Sequence, residues 1–277
     1  LTDSSAQFPQ HTFAGQDLVR IIPHDVFLSG KYYPEGKELK PTNFPWSAVN
    51  GANPKLIPPS PEKFIQWISS FSQQFRQFLI ILNSSHFNLA YANALEAASS
   101  LKGSFNIQVV NSQTTSAGLG IIVQQAAESI IRGADFTEVE HLVRKQVPHV
   151  FSLFCAPGLS YLAHAGLISH PQAIAGEMLN MLPIFTIEDE RLTPLEKVRG
   201  YRNTIDLFIE FLDEFENLSH IAIVQSTPPL LQDVRSLRQM YQEIHPHGTF
   251  SEHNLNVPLA TIFGPRLIGL IAAEVPD

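Results

Sequence analysis

Apolar residues recur along this chain in short runs broken by polar, serine-rich turns, and that alternation predicts its fold. Residues 78–82 and 107–110 are near-continuous apolar runs rich in β-branched side chains, the pattern of strands buried on both faces. Each ends in a polar turn, Asn83-Ser84-Ser85 and Asn111-Ser112, and each turn leads into helical spacing. The first helix runs through Tyr91, Ala94, Leu95 and Ala98, and the second from about Gly118 to Arg132. Upstream, Ser60-Pro61-Glu62 supplies a serine cap, a first-turn proline and an acid, opening a helix with Phe64, Ile65, Trp67, Ile68 and Phe71 on its apolar face. Residues 17–22 and 26–33 read as strands around Pro23, with Pro34-Glu35-Gly36 as the closing turn. Pro41, Pro45, Pro54, Pro58 and Pro59 make residues 41–60 irregular. A further helix, capped by Thr137, reaches about Gln146. The expectation is an α/β fold whose first part is a mainly parallel sheet covered by helices.

The second half has a more mixed pattern. Strands are expected at 150–154, 184–187, 221–224 and 260–263, with Asp189-Glu190 turning a hairpin. Helical spacing covers 159–165, 174–182, 198–215 and 228–244, and a short apolar helix closes the chain. A mixed sheet follows from the hairpin, and Pro148 divides an N-terminal α/β lobe, 1–148, from a C-terminal α/β lobe, 149–277.

Composition narrows the function. A net charge of −8 argues against a nucleic-acid surface, which needs clustered positive charge. No apolar run reaches the ~20 residues of a membrane-spanning helix, and no signal peptide is visible, so the expected protein is cytoplasmic and not integral to a membrane. The single cysteine, Cys155, fits a reducing compartment.

The polar turns are the place for chemistry. In an open α/β sheet they gather at the carboxyl ends of the strands, where ligands bind, and free N–H groups at helix starts suit a polar or anionic head group. The turns are Thr2-Asp3-Ser4-Ser5-Ala6, Asn83-Ser84-Ser85, Asn111-Ser112 through Ser116-Ala117-Gly118-Leu119-Gly120, and Phe263-Gly264-Pro265. Three catalytic readings compete with simple binding. His245, His247 and His253 form the densest histidine group, but no metal motif surrounds them, so no metal is expected. Ser112 or Ser116 as a nucleophile lacks a Gly-x-Ser-x-Gly elbow, and helix capping explains both. Ser116–Gly120 lacks the lysine of a phosphate loop, and Glu188-Asp189-Glu190-Arg191 reads as a solvated turn. No cofactor is implied.

Taken in order, these segments resemble the DegV family, lipid-binding proteins of the EDD fold. Thr2-Asp3-Ser4-Ser5-Ala6 with Pro9 is similar to the opening TDSSADLP, and Pro59-Ser60-Pro61-Glu62-Lys63-Phe64 to the end of TSQPSPEDF. Asn83 through Ala94 stands at SSxLSGTYxSA, and Val110-Asn111-Ser112 with Ser116-Ala117-Gly118-Leu119-Gly120 at VDSxxxSxGLG. Residues 159–169 resemble LxYLxxGGRIS; residues 183–189 and 194–199 match the next block, and Gly264-Pro265 the last. The resemblance covers almost the whole chain. It implies a two-lobed, non-catalytic binding protein for a long-chain fatty acid or related acyl lipid. The tail would be buried in an internal tunnel and the head group held near the lobe interface. It also implies a partner, a fatty acid kinase subunit to which the lipid is presented.

This chain departs from the family pattern at the positions that hold the head group. Leu56 stands for the threonine donor, Asn88 for the serine donor, Ile262 for the histidine and Leu167 for an arginine, while Arg266 replaces a glycine. The lipid site so implied comprises Asn88, Ser84, Ser85, Leu56, Ile262, Ser116 and Arg266. Two other functions stay open: a serine-dependent lipid hydrolase using His86 beside Ser84 and Ser85, and a histidine phosphocarrier related through the fold.

Overall fold

The computed structural model describes residues 1–48, 51–179, 181–229, 234–246 and 248–276. His247, named above in the histidine group, lies outside them, as do residues 230–233 of the helix expected over 228–244. The strands are β1 (Thr2–Asp3), β2 (Ile21–Ile22), β3 (Asp25–Leu28), β4 (Lys31–Tyr33), β5 (Lys55–Ile57), β6 (Gln77–Leu82) and β7 (Asn106–Asn111) in the first half. The second half adds β8 (Val150–Cys155), β9 (Leu182–Glu188), β10 (Arg191–Val198), β11 (Leu218–Gln225), β12 (Thr249–Asn254) and β13 (Ile268–Glu274). The helices are α1 (Pro61–Ser70), α2 (Ala90–Ser100), α3 (Ser116–Ile131), α4 (Phe136–Gln146), α5 (Leu159–His164), α6 (His170–Met178), α7 (Tyr201–Leu212), α8 (Arg235–Ile244) and α9 (Val257–Phe263).

The fold is α/β. In the second half six strands form one mixed sheet, ordered β10-β9-β8-β13-β11-β12, antiparallel except for the β11–β12 pair. The first half is less uniform than its pattern predicts. β1–β2 and β6–β7 are parallel pairs, but β4-β3-β5 is a separate antiparallel sheet. Leu1 bridges the two parallel pairs: its carbonyl accepts the Ile81 N–H at 2.9 Å.

Strand periodicity explains the layering, because successive side chains face opposite sides. In β8, β11 and β13 one face (Phe154, Ala222, Val224, Ile271, Ala273) joins a core shared with the first half. The alternate residues (Leu153, Ile221, Ile223, Leu270, Ala272) join a second core under α7 and α8. β6 divides likewise, Ile80 and Leu82 toward α1 and α2 and Ile81 toward α3 and α4.

Several boundaries differ from the sequence reading. The strand expected over 17–22 shrinks to Ile21–Ile22, because Gly15 at φ 83° starts a short 3₁₀ turn over Gln16–Leu18. The strand expected over 26–33 is a hairpin turned by Ser29 and Gly30, both with positive φ. Asp135, not Thr137, caps α4, accepting the Thr137 and Glu138 N–H groups. β10 takes the residues up to Val198, so α7 starts only after Gly200. The last two elements are inverted: 257–263 is a helix capped by Asn256 with Pro258 in its first turn, and 268–274 is a buried strand. Both are short apolar runs, for which length and periodicity do not choose between helix and strand.

Candidate ligand site at the strand ends

The turns at the carboxyl ends of β1 and β6 are stitched together by buried side chains. Asp3 is fully buried; its Oδ1 accepts the Ser5 N–H at 2.8 Å and its Oδ2 the Asn83 N–H at 2.8 Å. Asn83 Nδ2 donates to Ser5 Oγ at 3.2 Å. One carboxylate therefore fixes two turns that are remote in sequence. Asn256, which caps α9, donates from Nδ2 to Ser5 O at 3.0 Å, and Gln7 Nε2 donates to Asn254 O at 2.7 Å.

His24 lies within this polar group. Asn88 Oδ1 accepts the Ala90 N–H at 2.8 Å, which orients its amide so that Nδ2 faces His24 Nε2 at 3.3 Å and Asn83 Oδ1 at 3.5 Å. With Nε2 accepting, the ring proton is on Nδ1, 3.1 Å from Ser4 Oγ and 3.8 Å from Asp3 Oδ1. Burial lowers the His24 pKa below its ordinary value, while Asp3 acts in the opposite direction, so the neutral ring fits this network.

Ser84 is buried, its N–H given to Thr114 O and its Oγ accepting the His86 N–H at 3.4 Å. Ser85 Oγ takes a hydrogen bond from Asn111 Nδ2 at 2.9 Å and donates to Glu190 Oε2 at 3.2 Å. Gln113 Nε2 donates to Glu190 Oε1 at 3.1 Å. The remaining expected site residues divide into two groups. Leu56 and Ile262 meet in the shared apolar core, where α9 packs on β5, together with Phe87, the residue before Asn88. Phe87 and Phe263 rings lie edge to face at 5.6 Å, and Phe263 stacks on Phe154 at 4.8 Å. Ser116 and Arg266 have partners outside that group. Ser116 Oγ donates to Gln7 Oε1 at 2.6 Å. Arg266 donates to Tyr201 OH at 3.0 Å and lies 4.9 Å over the Trp46 ring, beside a cavity of about 400 Å³ that Glu177 also lines.

The arrangement bears on the catalytic readings. His86 packs on Phe87, at 6.2 Å between ring centroids, and its contact with Ser84 is through the backbone. The serine–histidine pair in this group is Ser4–His24, and there Ser4 and Asp3 face the same ring nitrogen. A histidine that activates a serine needs the hydroxyl on one ring nitrogen and the orienting carboxylate on the other. Asp3, His24 and Asn83 were not singled out as site residues from the sequence. Asp3 and Asn83 lie in polar turns visible in the sequence, whereas His24, one residue after Pro23, carries no local signal. Thr2 Oγ1 and Thr115 Oγ1 are buried hydroxyls without a hydrogen-bond partner among the described residues, atoms of the kind a ligand or water satisfies.

A larger cavity of about 910 Å³ lies at the other, amino end of β6, lined by Leu1, Arg20, Trp67, Phe71, Phe78 and Phe136 among others. It is separate from the polar turns. Among the described residues no group of three or more metal-ligating side chains occurs, and no helix is long and apolar enough to cross a membrane.

A second polar line, buried at His220 and Ser251, crosses β11 and β12. His253 Nε2 and Ser251 Oγ are 2.9 Å apart, Ser251 Oγ and His220 Nε2 2.8 Å, and His220 Nδ1 meets Thr249 Oγ1. Burial lowers both imidazole pKa values to about 4, with the charge of His253 adding to the effect at His220 and that of His11 at His253. Unfolded, each would titrate near 6.5. Between those values the unfolded chain binds more protons, so stability is expected to fall as pH drops from 6.5 to 4. The buried His220 alone accounts for roughly 3 kcal/mol. Urea unfolding over that range measures it; a flat profile would remove the argument.

Comparison with known proteins follows the same lines. The family model described as an uncharacterised protein of the DegV family matches residues 1–275. A DegV domain-containing protein of Caldanaerobacter subterraneus subsp. tengcongensis is 27% identical over 212 residues, covering 76% of this chain and 75% of that protein. The solved structure of a DegV family protein from Thermus thermophilus, described by its fatty acid binding, superposes with a TM-score of 0.80 at 23% identity, covering 99% of this chain and 98% of the other. The Streptococcus pneumoniae Fatty Acid Kinase (Fak) B3 protein, loaded with linoleic acid, gives a TM-score of 0.83 at 14% identity, again over 99% and 98% of the two chains. At these identities the two structures establish a shared fold, and the match over residues 1–275 establishes kinship: the chain belongs to the DegV family.

Proposed function

We propose that the protein binds a long-chain fatty acid or related acyl lipid without transforming it, the tail in the shared apolar core and the head group by Asn88. The observation that carries this reading is the convergence of Leu56, Ile262 and Phe87 in one core beside the Asn88–His24–Asn83 network. The core supports it further by being rich in alanine (Ala48, Ala52, Ala117, Ala156, Ala163, Ala260), short apolar side chains along which an alkyl chain can pack. What relatives are described as binding supports the same class of ligand. The division into lobes 1–148 and 149–277 belongs to this proposal, as does treating β2, β1, β6 and β7 as one parallel layer. The Leu1–Ile81 bond supports the layer, and the residence of β8–β13 in one sheet supports the division.

Energetics favour the tail. Some fourteen methylenes at ~0.8 kcal/mol each give roughly 11 kcal/mol of gross transfer free energy, against about 1–3 kcal/mol for a missing hydrogen-bond partner. With Leu56 and Ile262 beside it, the head-group end is more apolar than a carboxylate favours. Ser84, Ser85 and Asn88 are the neutral donors in this reading, Ser85 and Asn88 exchanging their bonds to Glu190 and to His24 and Asn83 for the head group; Ser116 and Arg266 are secondary, because their partners Gln7 and Tyr201 lie outside that group. A fatty acid kinase subunit as partner is weakened by Leu167, which packs on the core where the family has arginine. Acyl-phosphate formation on mixing with such a kinase measures that.

The test is extraction of purified protein followed by mass spectrometry, then binding of a fatty acid, its methyl ester and the matching alcohol. A co-purified acyl lipid and weak discrimination among the three are expected. Asn88→Ala should lower affinity by about 1–2 kcal/mol. Absence of any acyl binding would end the proposal. Strong preference for the ionised acid, untouched by the mutation, would move the head group to a cation such as Arg266.

A further inference from the structure

The β9–β10 hairpin belongs to the second half, yet its tip is bonded to the first. Both oxygens of the Glu190 carboxylate are used there, Oε2 by Ser85 Oγ at 3.2 Å and Oε1 by Gln113 Nε2 at 3.1 Å. Ser85 and Gln113 sit in the turns after β6 and β7, and Asn111 Oδ1 holds both of their backbone N–H groups at 3.1 Å. Arg191, the next residue, carries its charge close enough to His86 to add to the effect of burial on that ring.

Three further observations concern what the tip can do. The hairpin walls the apolar core: Phe185 and Leu192 are buried in it and Ile187 packs against it. β10 is the outermost strand, paired with β9 alone, and its register shifts between Pro194 and Glu196. An edge strand with an irregularity at its middle bends more readily than a paired central one. The tip itself carries backbone strain, Asp189 at φ 48° and Glu190 at φ 63°, in the region that glycine favours. A glutamate there keeps an unfavourable backbone geometry and gains two hydrogen bonds across the molecule.

We propose that the β9–β10 tip is a gate over the apolar core and that Glu190 is its latch, closing on Ser85 and Gln113 and swinging about the Pro194–Glu196 irregularity. As a gate for lipid it rests on the acyl-binding reading; as a latch it does not. The bonds are exposed and therefore weak, which suits a contact that opens repeatedly. Releasing the carboxylate frees Ile187 and Leu192, which lie beyond the β8–β9 ladder that ends at Thr186, to lift from the core.

The experiment follows cis-parinaric acid, a fluorescent polyunsaturated fatty acid, leaving the full-length protein when chased with excess oleic acid. Amide hydrogen exchange over residues 185–192 is recorded without ligand. Glu190→Ala should raise the dissociation rate about three- to tenfold and speed exchange over those residues. Gln113→Ala should give a smaller rise, and the double variant no more than Glu190→Ala alone. Glu190→Gly relieves the positive φ, so fast dissociation in a variant of unchanged or greater stability assigns the effect to the latch rather than to damage. Unchanged exchange in Glu190→Ala overturns the latch. Raised exchange with an unchanged dissociation rate overturns the gate. If the wild type does not bind the probe at all, the acyl reading fails while the exchange comparison still decides the latch.

Discussion

Replacing Gly120 by alanine is expected to destabilise the protein by about 3 kcal/mol, the upper end for overpacking a filled interior. A Cβ at this position would lie 1.9 Å from the Gln7 carbonyl oxygen, 2.5 Å from its carbon and 3.0 Å from the Phe8 nitrogen. These are backbone atoms and cannot rotate aside. The segment is also tied to the start of α3, Gln7 N–H donating to Ser116 O at 3.1 Å and Ser116 Oγ to the Gln7 side chain. To admit the methyl group, residues 7 and 8 must lift from α3, drawing the Thr2–Ala6 turn with them. Lipid affinity should fall together with stability. Gly103→Ala is the comparison, since nothing lies within 4 Å of its Cβ position and only its φ of 91° resists substitution. It should cost about 1 kcal/mol. Equal losses in the two variants would show that the close approach at Gly120 is not what fixes the turn.

Asp3→Ala should cost still more, about 4 kcal/mol, because two buried N–H groups lose their acceptor at once. Those groups belong to Ser5 and Asn83, so the turns after β1 and β6 come apart together. Asp3→Asn keeps the shape but turns an amide NH₂ toward one of the donors, and roughly half the loss is expected. Chemical unfolding gives the magnitude, and amide exchange at Ser5 and Asn83 gives the location. A loss below about 1 kcal/mol with both amides still protected would mean that the carboxylate is not the link between the turns.

The parts of the fold legible in the sequence were those governed by local chemistry. α1 was announced by Ser60-Pro61-Glu62, and the structure has Ser60 Oγ accepting the Lys63 N–H. β6 and β7 were legible from apolar runs followed by polar turns. What escaped depended on partners distant in the chain. β5 has three residues and exists because β3 lies alongside, pairing Leu56 with Val26. β12 reads as polar, Thr249-Phe250-Ser251-Glu252-His253-Asn254, and is a strand because β11 supplies the ladder. The site divides in the same way. Ser84, Ser85 and Asn88 could be found because a single turn carries them. His24 could not, since its neighbours Ser4, Asp3 and Asn88 come from two other segments. Glu190 reads as a solvated turn residue, and its bonds to Ser85 and Gln113 come from more than seventy positions away.

The bond from Asn256 to Ser5 carries a consequence for how the chain is made. Its ends are 251 positions apart, and the neighbouring Gln7–Asn254 contact spans 247. A polypeptide emerges from the ribosome in order, so the first polar turn appears long before the segment that completes it. Until residue 256 has emerged, the opening turn lacks its α9 partner, and the apolar faces meant for α9 stay open to water. Contacts of such separation delay assembly, and half-made chains that expose apolar surface are the ones that aggregate. Ribosome-bound chains stopped shortly before residue 256 should therefore engage a holdase chaperone, and chains released complete should not.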